Sequence, residues 1–136
     1  MPDSFQLEIV TPSRLLVKDA AEEAQIPGLS GYLGILPGHA PLLTELGVGA
    51  ITYKANGATH TLALAWGFAE VLPDKVTILA EAAERPQEID VARAQKAKGR
   101  AEQLLKSNDP KLEVDYPRAE DALQRAETRL SVAKEK

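Results

Sequence analysis

Four arginines spaced along the last third of the chain are the residues best placed to do chemistry. Arg93 and Arg100 are seven residues apart, and so are two turns apart on one helix face; Arg125 and Arg129 are one turn apart. If the break Ser107-Asn108-Asp109-Pro110 turns the chain near Lys111, an antiparallel pair of helices sets Arg93 level with Arg129. Guanidinium groups gathered in this way favour an anion. Asp90 and Glu127 offer partial neutralisation. The anion is a polyphosphate if the helices are closed, or acidic side chains of a partner if they are open. The plainer reading is a set of solvated surface arginines in i,i+4 pairs, such as Asp121 with Arg125.

Little else offers reactivity. No GxxxxGK[ST], HExxH or GxSxG pattern occurs. His39 has no acidic neighbour and reads as a turn histidine bonded to backbone. Glu22 and Glu23 alternate faces on a strand and make no poised carboxylate pair. Catalysis by this chain alone is not expected, so the catalytic set is empty. With no cysteine and two histidines, His39 and His60, no metal site is expected either.

The helices that must carry the arginines begin after Arg85-Pro86. Asp90 reads as an N-cap with Ile89 before it, followed by the stripe Ala94, Ala97, Ala101, Leu104. Asp115 and Pro117 open a second helix with Ala119, Ala122, Leu123, Ala126, Leu130 and Ala133 on one face. Alanine favours helix but buries little, roughly 0.8 kcal/mol per carbon. Two outcomes follow, a hairpin that opens or one that stays docked.

Upstream the pattern is that of strands. Phe5, Leu7 and Ile9 alternate with polar residues, and Leu15–Lys18 and Ala20–Ile26 follow. Asn56-Gly57 joins Gly49–Ala55 to Ala58–Leu64, the strongest local sign of a hairpin. Pro73-Asp74 joins Phe68–Leu72 to Lys75–Ala80. The spacing predicts a β-sandwich or small barrel with Ile9, Val17, Ile51, Leu62, Leu64, Val71, Val76 and Ile78 inside, and Trp66 as a core or rim aromatic near a strand end. No crossover helix fits before Gln87, which disfavours a parallel α/β fold.

The fold class expected is therefore a mainly β sandwich, residues 1–86, followed by an α-helical hairpin of two antiparallel helices, residues 87–136. Charge divides likewise: up to Gln87 there are 5 basic and 10 acidic residues, and afterwards 11 basic and 10 acidic. The net charge of −4 argues against nucleic acid as a partner. No apolar run of about 18 residues exists, and the first residues lack the basic and apolar regions of a secretory signal. A protein of the cytoplasm, or one bound to the cytoplasmic face of a membrane through other proteins, is expected.

The run GYLGILPGHAPLL, from Gly31 to Leu43, is the oddest stretch. Its glycines permit positive φ and close approach, and its prolines oppose a regular helix or central strand. It reads either as an irregular loop capping a sheet or as an apolar loop displayed to a partner.

GYLGILPGHAPLLTEL, together with IDVARA and RLSVA, closely resembles the epsilon subunit of F-type ATP synthases, called delta in mitochondria. The resemblance covers the whole chain. It implies a ten-stranded sandwich at the base of the central stalk of a proton-translocating synthase, packed on the gamma subunit and touching the membrane c-ring. The ring contact falls on Gly31, Tyr32, Leu33, Gly34, Ile35 and Pro37. Many relatives are acidic at the place of Tyr32, so an apolar or hydrogen-bonded contact is implied here. The hairpin of bacterial relatives lies folded on the sandwich or extends into the catalytic alpha and beta subunits and inhibits ATP hydrolysis. Some relatives bind ATP on the folded hairpin through Ile-Asp-x-x-Arg-Ala, matched here by Ile89, Asp90, Arg93 and Ala94. Arg100, Arg125, Arg129 and Glu84 complete that set. The resemblance thus implies a non-catalytic regulatory subunit, peripheral on the cytoplasmic face of the bacterial inner membrane, that needs no cofactor and takes ATP as a regulatory ligand. Without it, the residues suit equally a free-standing β-sandwich adaptor whose hairpin docks on a partner.

Overall fold

The computed structural model describes residues 3–135; Met1, Pro2 and Lys136, at the ends of the two expected units, lie outside them. Seven strands come first: β1 Phe5–Thr11, β2 Arg14–Ala21, β3 Glu23–Gly28, β4 Gly31–Ile35, β5 Leu42–Ala55, β6 Ala58–Val71 and β7 Lys75–Glu84. They hydrogen-bond in the order β2-β1-β7-β6-β5-β3-β4. The sheet folds over on itself, because the Tyr53 hydroxyl of β5 donates to Asp19 of β2 at 2.7 Å although three strands separate them in the sheet. Burial, then the Asp19 carboxylate, push the Tyr53 phenol up to about 12. The two layers enclose one core that includes all eight residues expected inside, Ile9 through Ile78, each at most 1% exposed.

The alternation Phe5, Leu7, Ile9 is what sends β1 inward. At the Asn56-Gly57 turn both residues take positive φ, 54° and 74°, as a two-residue hairpin demands. β1 pairs antiparallel with β2 but parallel with β7, from Gln6–Lys75 to Val10–Leu79. The remaining strand pairs are antiparallel.

Three expectations change. The family resemblance implies ten strands, and the described residues form seven, since β5 and β6 each run unbroken for 14 residues. Glycines that read as breaks, Gly49 and Gly67, sit inside these strands at places where a neighbour comes close. Trp66 accordingly lies mid-strand, half-buried, with φ 62°. The run Gly31–Leu43 is not an irregular loop throughout: Gly31–Ile35, which itself holds no proline, forms edge strand β4, and only Leu36–Pro41 is irregular. Finally, Ala20 and Ala21 end β2, and the chain bends at Glu22 before β3.

A 3₁₀ turn, Pro86–Glu88, leads to helix α1, Val91–Lys106, and helix α2, Tyr116–Ala133. Asp90 and Asp115 are the N-caps, accepting from the N–H of Arg93 at 3.0 Å and of Arg118 at 3.2 Å. The helices pack on each other, and it is α2 that lies on β5 and β6. Ile89, Val132 and Ala133 meet Ala63 there, beside Ala50 and Val91, in a small cluster separate from the main core. The junction is tied to the sheet by the Arg14–Glu88 ion pair and by Arg85, whose side chain donates to the Leu16 carbonyl at 2.9 Å. The Arg85 N–H first, then the Arg14 guanidinium, hold the Glu88 carboxyl below its usual value.

Candidate functional site

Between the hairpin and the outer sheet face lies a cavity of about 690 Å³. Its floor is small and apolar, with Ala63, Leu64, Ala65 and Ala82, and its helical walls carry Ala97, Ala101, Ala119, Ala122 and Ala126. Alanine on both sides brings helix and sheet close yet leaves room between them. Five arginines reach this space, Arg93 and Arg100 from α1 and Arg118, Arg125 and Arg129 from α2. The carboxylates lining it are Glu84, Glu113 and Asp115, so the cationic side chains outnumber the anionic ones.

Two of the arginines are engaged. Arg129 donates through Nε to Glu84 Oε1 at 2.7 Å and through Nη2 to Oε2 at 3.2 Å, a forked ion pair fastening the end of α2 to the end of β7. Arg125 lies 3.6 Å from Asp121, the i,i+4 pair that the plainer reading anticipates. Among the described residues, no ion pair within 4.0 Å involves Arg93, Arg100 or Arg118.

Of the residues expected at a nucleotide site, Glu84, Arg93, Arg100, Arg125 and Arg129 line the cavity. Ile89, Asp90 and Ala94 do not. Ile89 is buried in the small cluster under α2, Asp90 spends a carboxylate oxygen capping α1, and Ala94 is fully buried. The ion pairs are made not by Asp90 and Glu127 but by Glu84, because α2 docks beside the end of β7, and by Asp121, one turn from Arg125 on α2 itself. Sequence reasoning passes over Arg118, although its seven-residue step to Arg125 repeats that from Arg93 to Arg100.

The residues expected at a ring contact sit together on β4 and just beyond it. Tyr32 and Leu36 are exposed, Leu33 is partly buried against the core, and Ile35 is inside. The Tyr32 hydroxyl is taken up internally, accepting from the Ala50 N–H at 3.1 Å. His39 Nδ1 lies 2.7 Å from the Ala40 carbonyl, the backbone contact expected of a turn histidine. Among the described residues no cluster of metal-ligating side chains occurs, and no helix is long and apolar enough to cross a membrane.

Comparison with known proteins matches the chain to one family. Residues 4–86 match the family model described as ATP synthase, Delta/Epsilon chain, beta-sandwich domain. Residues 87–134 match the model described as ATP synthase, Delta/Epsilon chain, long alpha-helix domain. The ATP synthase epsilon chain of Koribacter versatilis is 72% identical over 110 residues, 81% of this chain and 78% of that one. That of Solibacter usitatus is 46% identical over 136 residues, covering both chains entirely. Among solved structures, a chain of the Euglena gracilis mitochondrial ATP synthase (OSCP/F1/c-ring) superposes with a TM-score of 0.81 at 23% identity, over 98% of this chain and 83% of that one. A chain of the Tetrahymena thermophila mitochondrial ATP synthase (central stalk/c-ring) gives 0.57 at 12%, over 96% and 94%. These two likenesses concern the fold alone.

Proposed function

The chain belongs to the ATP synthase delta/epsilon family as an epsilon chain, a non-catalytic subunit, and on that premise we propose that it couples rotation of the ring to the catalytic head and restrains ATP hydrolysis through a movable hairpin. The sandwich, residues 1–86, is the fixed part, packed on the gamma subunit in the central stalk. Gly31, Tyr32, Leu33, Gly34, Ile35 and Pro37 face the c-ring. The hairpin, residues 87–136, moves between the sheet and the alpha and beta subunits. The protein sits at the cytoplasmic face of the bacterial inner membrane through the complex rather than in the lipid.

One observation carries this reading: a cavity bounded by arginines of both helices is roofed by a hairpin seated largely on methyl groups. Arg93 and Arg100 share a site with Arg125 and Arg129 only while the hairpin is closed. A polyphosphate bound there therefore favours the closed form. ATP at a hundred times its dissociation constant would add about 2.7 kcal/mol to that state. No cofactor is required, and ATP acts as a regulatory ligand. Glu84 belongs to the same nucleotide set, as do Ile89, Asp90 and Ala94, which shape the start of α1 rather than line the cavity.

Two measurements test the two parts. Deleting everything after Gln87 is expected to raise ATP hydrolysis by the assembled enzyme, and unchanged hydrolysis would remove the restraint from the account. Titration of the isolated chain with ATP is expected to shift the NMR signals of Arg93, Arg100, Arg125 and Arg129, and Arg125→Ala to weaken binding about tenfold. Absence of shifts up to millimolar ATP would end the ATP-sensing part and leave the restraint standing.

A further inference from the structure

The ladder between β3 and β5 has a gap. Gln25 pairs with Thr52, the next pair is Gly28 with Leu46, and the register shifts between them. Pro27 stands in the gap and has no N–H to donate. On the β5 side the gap spans residues 47–51, and at its centre Val48, Gly49 and Ala50 remain paired to β6 on their other edge.

Two side chains from different directions serve the backbone here. Tyr32 of β4 lies over Gly49, so closely that a methyl group on Gly49 would stand 2.6 Å from the Tyr32 hydroxyl and 2.8 Å from Pro27 Cβ. That hydroxyl accepts from the Ala50 N–H at 3.1 Å. From the hairpin, Gln124 Nε2 of α2 donates to the Val48 carbonyl at 3.2 Å. The Ala50 side chain packs against the cluster formed by Ile89, Val132 and Ala133. Three consecutive residues are thus held by β4 on one side and by the hairpin on the other.

We propose that residues 48–50 are a mechanical coupling between β4 and the hairpin: drawing Tyr32 off Gly49 loosens the docking of α2, and docking of α2 steadies Tyr32. A backbone stretch without a ladder on one edge has more than one arrangement open to it. Each of the two side-chain bonds selects the arrangement that suits the other. The effect is reciprocal, as any coupling between two binding equilibria must be. It needs no nucleotide, and so stands or falls separately from the anion site.

Amide hydrogen exchange in the full-length isolated chain tests it. Tyr32→Phe keeps the ring and removes only the hydroxyl. Exchange at Ala126, Thr128 and Val132 of α2 is expected to quicken about fivefold, the effect of one lost hydrogen bond, while Ile78 in β7 keeps its rate. Conversely, Gln124→Leu, at an exposed position, is expected to quicken exchange at Ala50 by a similar factor with Ile78 unchanged. Unchanged α2 rates in Tyr32→Phe overturn the coupling, and so does an equal rise at α2 and Ile78, which would mean general loosening. If Tyr32→Phe does not fold, the reciprocal effect in Gln124→Leu decides alone: a change at Ala50 supports the coupling, and no change overturns it.

Discussion

Gly67→Ala is expected to lower the stability of the chain by roughly 3–5 kcal/mol, combining backbone strain with overpacking. Gly67 lies mid-sheet, paired with Leu46 on one side and Ala80 on the other. Its φ is +158°, and the preceding Trp66 has φ 62°, so the strand kinks at this pair. A Cβ on Gly67 would stand 2.2 Å from the Leu79 carbonyl oxygen and 3.0 Å from Ala80 Cα. Both are backbone atoms of β7, and neither can swing away as a side chain would. Moving β7 aside would disturb Ile78 and Ala80, both buried in the core. Domains of this size are stable by only about 5–15 kcal/mol, so the change removes much of the total. Urea denaturation followed by circular dichroism measures it. A midpoint equal to that of the parent would show that the kink relaxes freely and that this close approach is not needed.

The second large effect is expected at Ile89. Ile89 is 4% exposed and is the bulkiest buried side chain of the cluster that seats the hairpin, where its companions are Ala63, Val132 and Ala133. Ile89→Ala removes that bulk and leaves a hole that small neighbours cannot fill, at about 2 kcal/mol or more. The loss falls on docking rather than on the sandwich, because this cluster is separate from the main core. A change of that size shifts the docking equilibrium about thirtyfold. Native-state exchange at α2 amides should quicken accordingly, while Leu64 and Ile78 hold their rates. Equal loss of protection in helices and strands would show one cooperative unit instead. In that case the hairpin could not leave without unfolding its base.

The sequence makes some of this legible through local chemistry. Alternation picks out the core, because a strand buried on one face must repeat every second residue; Asn56-Gly57 and the caps Asp90 and Asp115 are read from requirements within four residues. What it conceals depends on contacts made at long range. Gly49 and Gly67 look like strand ends until Tyr32 and the Leu79 carbonyl are seen against them. The run around Gly31 looks irregular because nothing local reveals that β3 offers it a free edge.

The arginine group follows the same division. Arg93, Arg100, Arg125 and Arg129 can be brought together on paper, since an antiparallel hairpin has one register once its turn is placed. The fork between Arg129 and Glu84 cannot be, because it depends on where α2 comes to rest on the sheet. Asp90 and Ile89 illustrate the converse. Their neighbours in sequence suggest a ligand contact, whereas their atoms are occupied in starting α1 and seating the hairpin.

The parallel pairing of β1 with β7 bears on how the molecule is born. Emerging from the ribosome, β1 meets β2 at once, but its other neighbour is the last strand of the sheet to be made. Phe5, Leu7 and Ile9 stay incompletely covered until then, an interval in which a nascent chain is prone to aggregate. The helices are synthesised after β7 and arrive at a face already assembled. The hairpin movement proposed above would then reverse only the final step of construction, and the older layers need not take part.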